Sequence, residues 1–161
     1  MRVKIAVILS LFVLLLACAK QQAAEQKKVP VTQDDAHALI LRVNEAEKNR
    51  DFKAFREAFD PEAAIEFNDN GIRNRFKPQG YAADLENAYS RVEEYVYSPG
   101  RVTVETIGVA TEVRQTNRIT MVFMGTTAVT TYANIYIVRM VNGAPKITAM
   151  TVTAFVDRRR R

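Results

Sequence analysis

Hydrophobic and polar positions divide the chain into helical patterns followed by a long stretch of strand patterns. Ala36, Leu39, Ile40, Val43 and Ala46 recur at the spacing of one helix face. Thr32, with Asp34 and Asp35 behind it, supplies a hydroxyl cap and acids for the first turn. Asn49-Arg50-Asp51 breaks this pattern. A short second helix carries Phe52, Phe55 and Phe59 inward and ends at Asp60-Pro61, because a residue before proline avoids helical backbone. Residues 63–67 then read as a short strand, Asn68-Asp69-Asn70-Gly71 as a turn, and residues 72–77 as its hairpin partner. Pro78-Gln79-Gly80 opens a third helix with Tyr81, Leu85, Ala88, Tyr89, Val92 and Val96 on one stripe, and Ser98-Pro99-Gly100 closes it. Long strands over about residues 101–113, 118–125, 129–141 and 145–157 complete the domain.

The stretch from Arg118 to Val156 dominates this pattern. It is rich in β-branched and aromatic residues, holds an Asn142-Gly143 turn, and contains neither Asp nor Glu. Thr148, Met150, Val152, Ala154 and Val156 form one mostly apolar face of the last strand. On residues 129–141 both faces carry apolar side chains, so the pattern does not say which face points inward. The expected class is α+β, a curved antiparallel sheet of four long strands plus a short hairpin, wrapped over about three helices.

The first residues belong to a different pattern. Arg2 and Lys4 precede an apolar run from Ile5 to Ala17, which is the order of a secretory signal. At about 1.5 Å per residue the run would span ~20 Å, less than a ~30 Å hydrocarbon core, which disfavours a permanent transmembrane helix. Residues 1–17 are therefore expected to be a signal peptide. Residues 18–31, dominated after Cys18 by Gln, Lys and Ala, are expected to be a flexible tether. The domain is placed at 32–157, with a basic tail at 158–161.

Charge changes little once it is located. The formal charge of the 161-residue chain is +5, but Arg2 and Lys4 lie in the signal and Arg158, Arg159, Arg160 and Arg161 lie in the tail, so the body between is at −1. That distribution does not resemble a nucleic-acid-binding face, and no nucleic-acid partner is expected. The tail reads as solvated, with contact to anionic headgroups as the alternative.

Two family resemblances follow from these residues. Leu15-Leu16-Ala17-Cys18 resembles the lipobox of bacterial lipoproteins, and Cys18 is the only cysteine. The resemblance implies cleavage before Cys18, lipid on its thiol and amino group, and residence in the cell envelope. Ala19 rather than Asp after it is similar to outer-membrane sorting signals, with the domain facing the periplasm. The order of elements, the Arg50-Asp51-Phe52 break leading to Phe55 and Phe59, Asp60-Pro61, Gly80 and the turn before Lys146-Ile147 resemble the nuclear-transport-factor-2-like superfamily over about residues 34–155. The resemblance implies a cone enclosing a pocket, in a family that includes steroid isomerases, polyketide cyclases and small dehydratases. Their strand acids are not matched: the neighbourhood of the isomerase base reads Glu66-Phe67-Asn68, and the later strands have no carboxylate.

Candidate chemistry is correspondingly thin. Tyr132, Asn134 and Tyr136 share one strand face, which could line the pocket with Tyr89, Met150 and Val152, or could form a surface for homodimerisation. His37, the single histidine, sits at the edge of the first helix's apolar stripe, where a partly exposed histidine is the plainer reading. Glu66 and Asp69 complete the set of possible bases, with Glu66 better explained as a solvent-facing strand residue. With no second His and no available Cys, no metal site or cofactor is expected. The sequence thus points to non-catalytic binding of a small apolar ligand or a protein partner. A lyase or isomerase using a pocket acid or His37 is the alternative.

Overall fold

The computed structural model describes residues 30–159, with side chains to Phe155. The signal peptide, Cys18, nearly all of the tether and the end of the basic tail lie outside the described residues. Three helices, α1 (Gln33–Lys48), α2 (Phe52–Glu57) and α3 (Pro78–Tyr89), pack on one face of a six-stranded sheet. Its strands are β1 (Phe59–Asp69), β2 (Ile72–Phe76), β3 (Glu94–Ile107), β4 (Ala110–Phe123), β5 (Thr126–Val141) and β6 (Ala144–Arg159), in the order β2-β1-β6-β5-β4-β3. The fold is α+β, with the four long strands as an antiparallel meander and β1–β2 as the hairpin. The hairpin joins the meander through a parallel β1–β6 pairing, which the hydrophobic pattern alone does not specify.

α1 begins where the Thr32 hydroxyl accepts the Asp35 N–H at 3.1 Å and ends where Arg50 turns left-handed at φ 55°. Its buried face is Ala36, Leu39, Ile40, Val43, Asn44 and Ala46, the expected stripe with Asn44 added. Burying each of Leu39, Ile40 and Val43 contributes roughly 1.5–3 kcal/mol, enough to outweigh the weak helix propensity of Val and Ile. Asp51 caps α2 by accepting the Ala54 N–H at 2.9 Å. One end of β4 ties down the entry of the domain: the Thr111 hydroxyl, fully buried, donates to the Val31 carbonyl at 2.9 Å.

Several boundaries differ from the sequence pattern. Phe59, Asp60 and Pro61 belong to β1 rather than to the helix end, and a register shift between Phe59 and Ala64 absorbs the proline. α3 stops at Tyr89, so Val92 lies beyond it and Val96 is on β3 with Tyr95 and Tyr97. Ser98-Pro99-Gly100 does not end a helix; it forms a bulge within β3, between Pro99 and Val102. The β3–β4 turn instead falls at Gly108-Val109, inside what the pattern suggested was one strand, with Gly108 at φ 63°. The Asn142-Gly143 turn is where expected, with both residues left-handed at φ 51° and 79°. β6 continues as paired backbone through Arg158 and Arg159, opposite Ala128 and Thr127.

Burial settles the facing of β5. Thr130, Asn134, Tyr136 and Val138 are buried at every second or fourth position, so the even-numbered residues point to the helices. Matching inward faces come from Val113, Gln115, Asn117 and Ile119 of β4 and from Met150, Val152 and Ala154 of β6.

Candidate functional site

Between the helices and the inward face of the sheet lies a cavity of about 330 Å³. Six aromatic rings line it: Phe55 from α2, Phe67 from β1, Phe76 from β2, Tyr81 and Tyr89 from α3, and Tyr132 from β5. Tyr81 is the hub of this set, its ring centroid 6.1 Å from Phe55, 6.3 Å from Phe67 and 5.7 Å from Phe76, with Phe67 a further 6.4 Å from Tyr132. All four pairs are tilted, the arrangement aromatic quadrupoles prefer over a flat stack. Leu85, Met121, Met150 and Val152 add aliphatic wall, and Glu47, Asn74, Asp84, Asn117 and Asn134 add the polar positions.

Of the residues proposed from sequence, Tyr89, Tyr132, Asn134, Met150 and Val152 line this cavity. Tyr136 stands behind the wall, fully buried, with its hydroxyl accepting Asn134 Nδ2–H at 3.1 Å. The alternative bases are not brought together. His37 is exposed on α1, Glu66 is exposed on β1, and Asp69 is half-buried at the end of β1 beside the Asn70-Gly71 turn. None of the three lines the cavity. Among the described residues no cluster of three His, Cys, Asp or Glu could hold a metal ion.

Glu47 is the residue that sequence reasoning passed over. It reads there as one of several charges near the end of α1, in Asn44-Glu45-Ala46-Glu47-Lys48. The signal was its spacing: position 47 lies four residues beyond Val43 and seven beyond Ile40, on the continuation of the buried stripe. It is only partly exposed and lines the cavity. Burial raises its carboxyl from 4.5 to about 7. The nearby Tyr97 hydroxyl acts in the opposite direction. Its single proton is already given to Asn44 Oδ1 at 2.8 Å, so burial prevails.

That Tyr97 bond is one link of a short buried chain. Asn117 Nδ2–H donates to the Tyr97 oxygen at 2.7 Å, and Tyr97 in turn donates to Asn44. A second pair, Asn134 to Tyr136, leaves Asn134 Oδ1 buried with no partner among the described residues. Burial, with Glu47 as a neighbouring negative charge, pushes the hydroxyls of Tyr81, Tyr89 and Tyr132 above the usual phenol range. They therefore remain protonated, and can donate hydrogen bonds, at any physiological pH.

Arg50 closes the side of the site near α3. Its guanidinium donates to the Tyr89 carbonyl at 3.3 Å and lies 4.8 Å from the centroid of the Tyr95 ring. It forms no ion pair with Glu47, which belongs to none of the ion pairs found among the described residues.

No protein-family model matches the sequence, and no curated protein matches it. Solved structures do match the fold. A nuclear-transport-factor-2-like protein from Cytophaga hutchinsonii superposes with a TM-score of 0.61 at 15% identity, over 78% of this chain and 100% of that one. A putative scytalone dehydratase from Novosphingobium aromaticivorans gives 0.65 at 8% identity, over 80% and 87%. The β subunit of a benzoate 1,2-dioxygenase from Burkholderia mallei gives 0.61 at 15% identity, over 78% and 91%. At such identities the shared property is the backbone architecture. The described chain has the cone-shaped fold of the nuclear-transport-factor-2-like proteins.

Proposed function

We propose that this is a binding domain that takes a small, largely apolar molecule into the cavity between its helices and sheet, carried on lipid through Cys18. The observation behind this reading is the cavity itself: about 330 Å³ of space, six rings around it, and a few convergent polar atoms. Binding without turnover is favoured by the isolation of Glu47. Proton-transfer catalysis needs a base held by an orienting partner, but the Tyr97 hydroxyl beside the Glu47 carboxyl gives its proton to Asn44, and Glu47 belongs to no ion pair among the described residues.

A second reading, a lyase or isomerase step, has one specific observation in its favour. A carboxyl raised to about 7 by burial can both take and return a proton near neutrality. Tyr132 and Tyr89 could then donate to a developing oxyanion.

One experiment addresses both. The full chain in lipid nanodiscs is mixed with a panel of single-ring aromatic alcohols, ketones and amines in D2O and followed by proton NMR. Saturation transfer to panel members is expected, and Ala88→Trp should abolish it, since exposed Ala88 lines the cavity and can enlarge without overpacking the core. Binding insensitive to Ala88→Trp, or no binding at all, would remove the reading. Deuterium entering a ligand carbon in the wild type but not in Glu47→Gln would establish the catalytic version instead.

A further inference from the structure

The cavity has a definite charge character. Glu47 and Asp84 line it, and among the described residues no Lys, Arg or His does. Arg73 and Arg75 flank Asn74 on β2, and strand alternation sends their side chains away from the face on which Asn74 lines the cavity. Arg50, three residues beyond Glu47, is held by the Tyr89 carbonyl and the Tyr95 ring instead.

A separate observation concerns the wall of β5. Asn134 is 5% exposed and lines the cavity, its Nδ2 is committed to the Tyr136 hydroxyl, and its Oδ1 has no partner among the described residues. A buried acceptor of this kind gains from any donor that the space beside it brings within reach. Aromatic walls suit a donor that carries positive charge, because a cation is attracted to the negative face of a ring. An anionic ligand would meet carboxylates of its own sign. A neutral hydrocarbon would fill the volume but satisfy neither Glu47 nor the Asn134 carbonyl.

We infer that the ligand of this cavity is an organic cation, a protonated amine on an apolar or aromatic body. Its charge answers Glu47, its N–H groups answer Asn134 Oδ1, and its carbon skeleton lies against the rings. This inference rests on the binding reading above and narrows it to one ligand class.

The test uses three probes of matched size and different charge: 2-phenylethylamine, 2-phenylethanol and phenylacetate. Each is titrated into the full chain in nanodiscs at pH 8, with wild type and Glu47→Gln compared. The amine is expected to bind at least about tenfold more tightly than the alcohol, and phenylacetate most weakly. Glu47→Gln should weaken the amine by about tenfold while changing the alcohol less than about twofold. The alcohol thus serves as the check that the variant cavity is intact. Equal binding of amine and alcohol to the wild type would overturn the cationic assignment and leave the binding domain standing. So would an amine preference that survives Glu47→Gln. If no probe binds and the wider panel fails as well, both readings fall together.

Discussion

Glu47 is desolvated on folding and gains no ion pair among the described residues, so its ionisation opposes the folded state. The sign follows from the two protonation equilibria. The carboxyl is raised from 4.5 to about 7, so between those values the folded protein holds more proton than the unfolded chain. Stability is therefore greatest below the lower value, falls as pH rises through the window, and stays at its reduced level above it. A shift of this size corresponds to about 3 kcal/mol, an upper figure because the cavity admits water. Glu47→Gln mimics the neutral acid and removes the penalty. Urea midpoints should be similar for wild type and variant at pH 4.5, with the variant higher at pH 8. A wild-type midpoint that does not fall between those pH values would contradict the burial of this carboxyl. The groups that face Glu47, namely Tyr81, Tyr89, Tyr95, Tyr97, Tyr132 and Tyr136, all stay neutral across this range. The residue was hidden in the sequence because a glutamate two positions from another and next to a lysine looks like a solvated helix end. Only its spacing from Val43 and Ile40 distinguishes it.

At the scale of elements, β3 shows why part of the pattern misled. Ser98-Pro99-Gly100 has the composition of a stop signal, and Tyr89, Val92 and Val96 extend a helical stripe up to it. β3 is an edge strand, where proline's missing N–H leaves no central ladder bond unmade. The bulge after Pro99 then places Gly100 tight against β4. A Cβ there would stand 2.1 Å from the Thr116 carbonyl oxygen, a backbone atom with little freedom to yield. Asn117 Oδ1 accepts the Gly100 N–H at 3.4 Å, and Gln115 Nε2 donates to the Gly100 carbonyl at 2.9 Å. Gly100→Ala should destabilise the protein by about 1–3 kcal/mol, read as a lower urea midpoint with an unchanged slope. An unaltered midpoint would mean the bulge is looser than this contact implies. α1 was legible because its stripe is one-sided and Thr32 caps its first turn. β5 was not, because partly buried Ile135 and Ile137 on its outer face look as apolar as the inner one.

Over the whole molecule, sequence order was enough to anticipate three helices, a hairpin and a meander, because consecutive strands pair with neighbours through short turns. It was not enough to anticipate the cavity's lining, which draws one or a few side chains from each of α1, α2, α3 and five strands. The proposed lipid anchor belongs to this scale too. Cys18→Ser should leave the protein uncleaved or release it from membranes, as judged by its mobility and its partition on membrane flotation. A variant that is processed and floats like the wild type would exclude lipid at Cys18.

The bond between Thr111 and Val31 fixes where such an anchor would pull. It holds the start of the domain at one end of β4, whereas Asn117 and Met121, on the cavity wall, lie six and ten residues along the same strand. At about 3.3 Å per residue these are separations of ~20 and ~33 Å along the strand. A lipid anchor at Cys18 would therefore enter the domain at the Val31 end of β4, away from the Met121 end of the cavity wall.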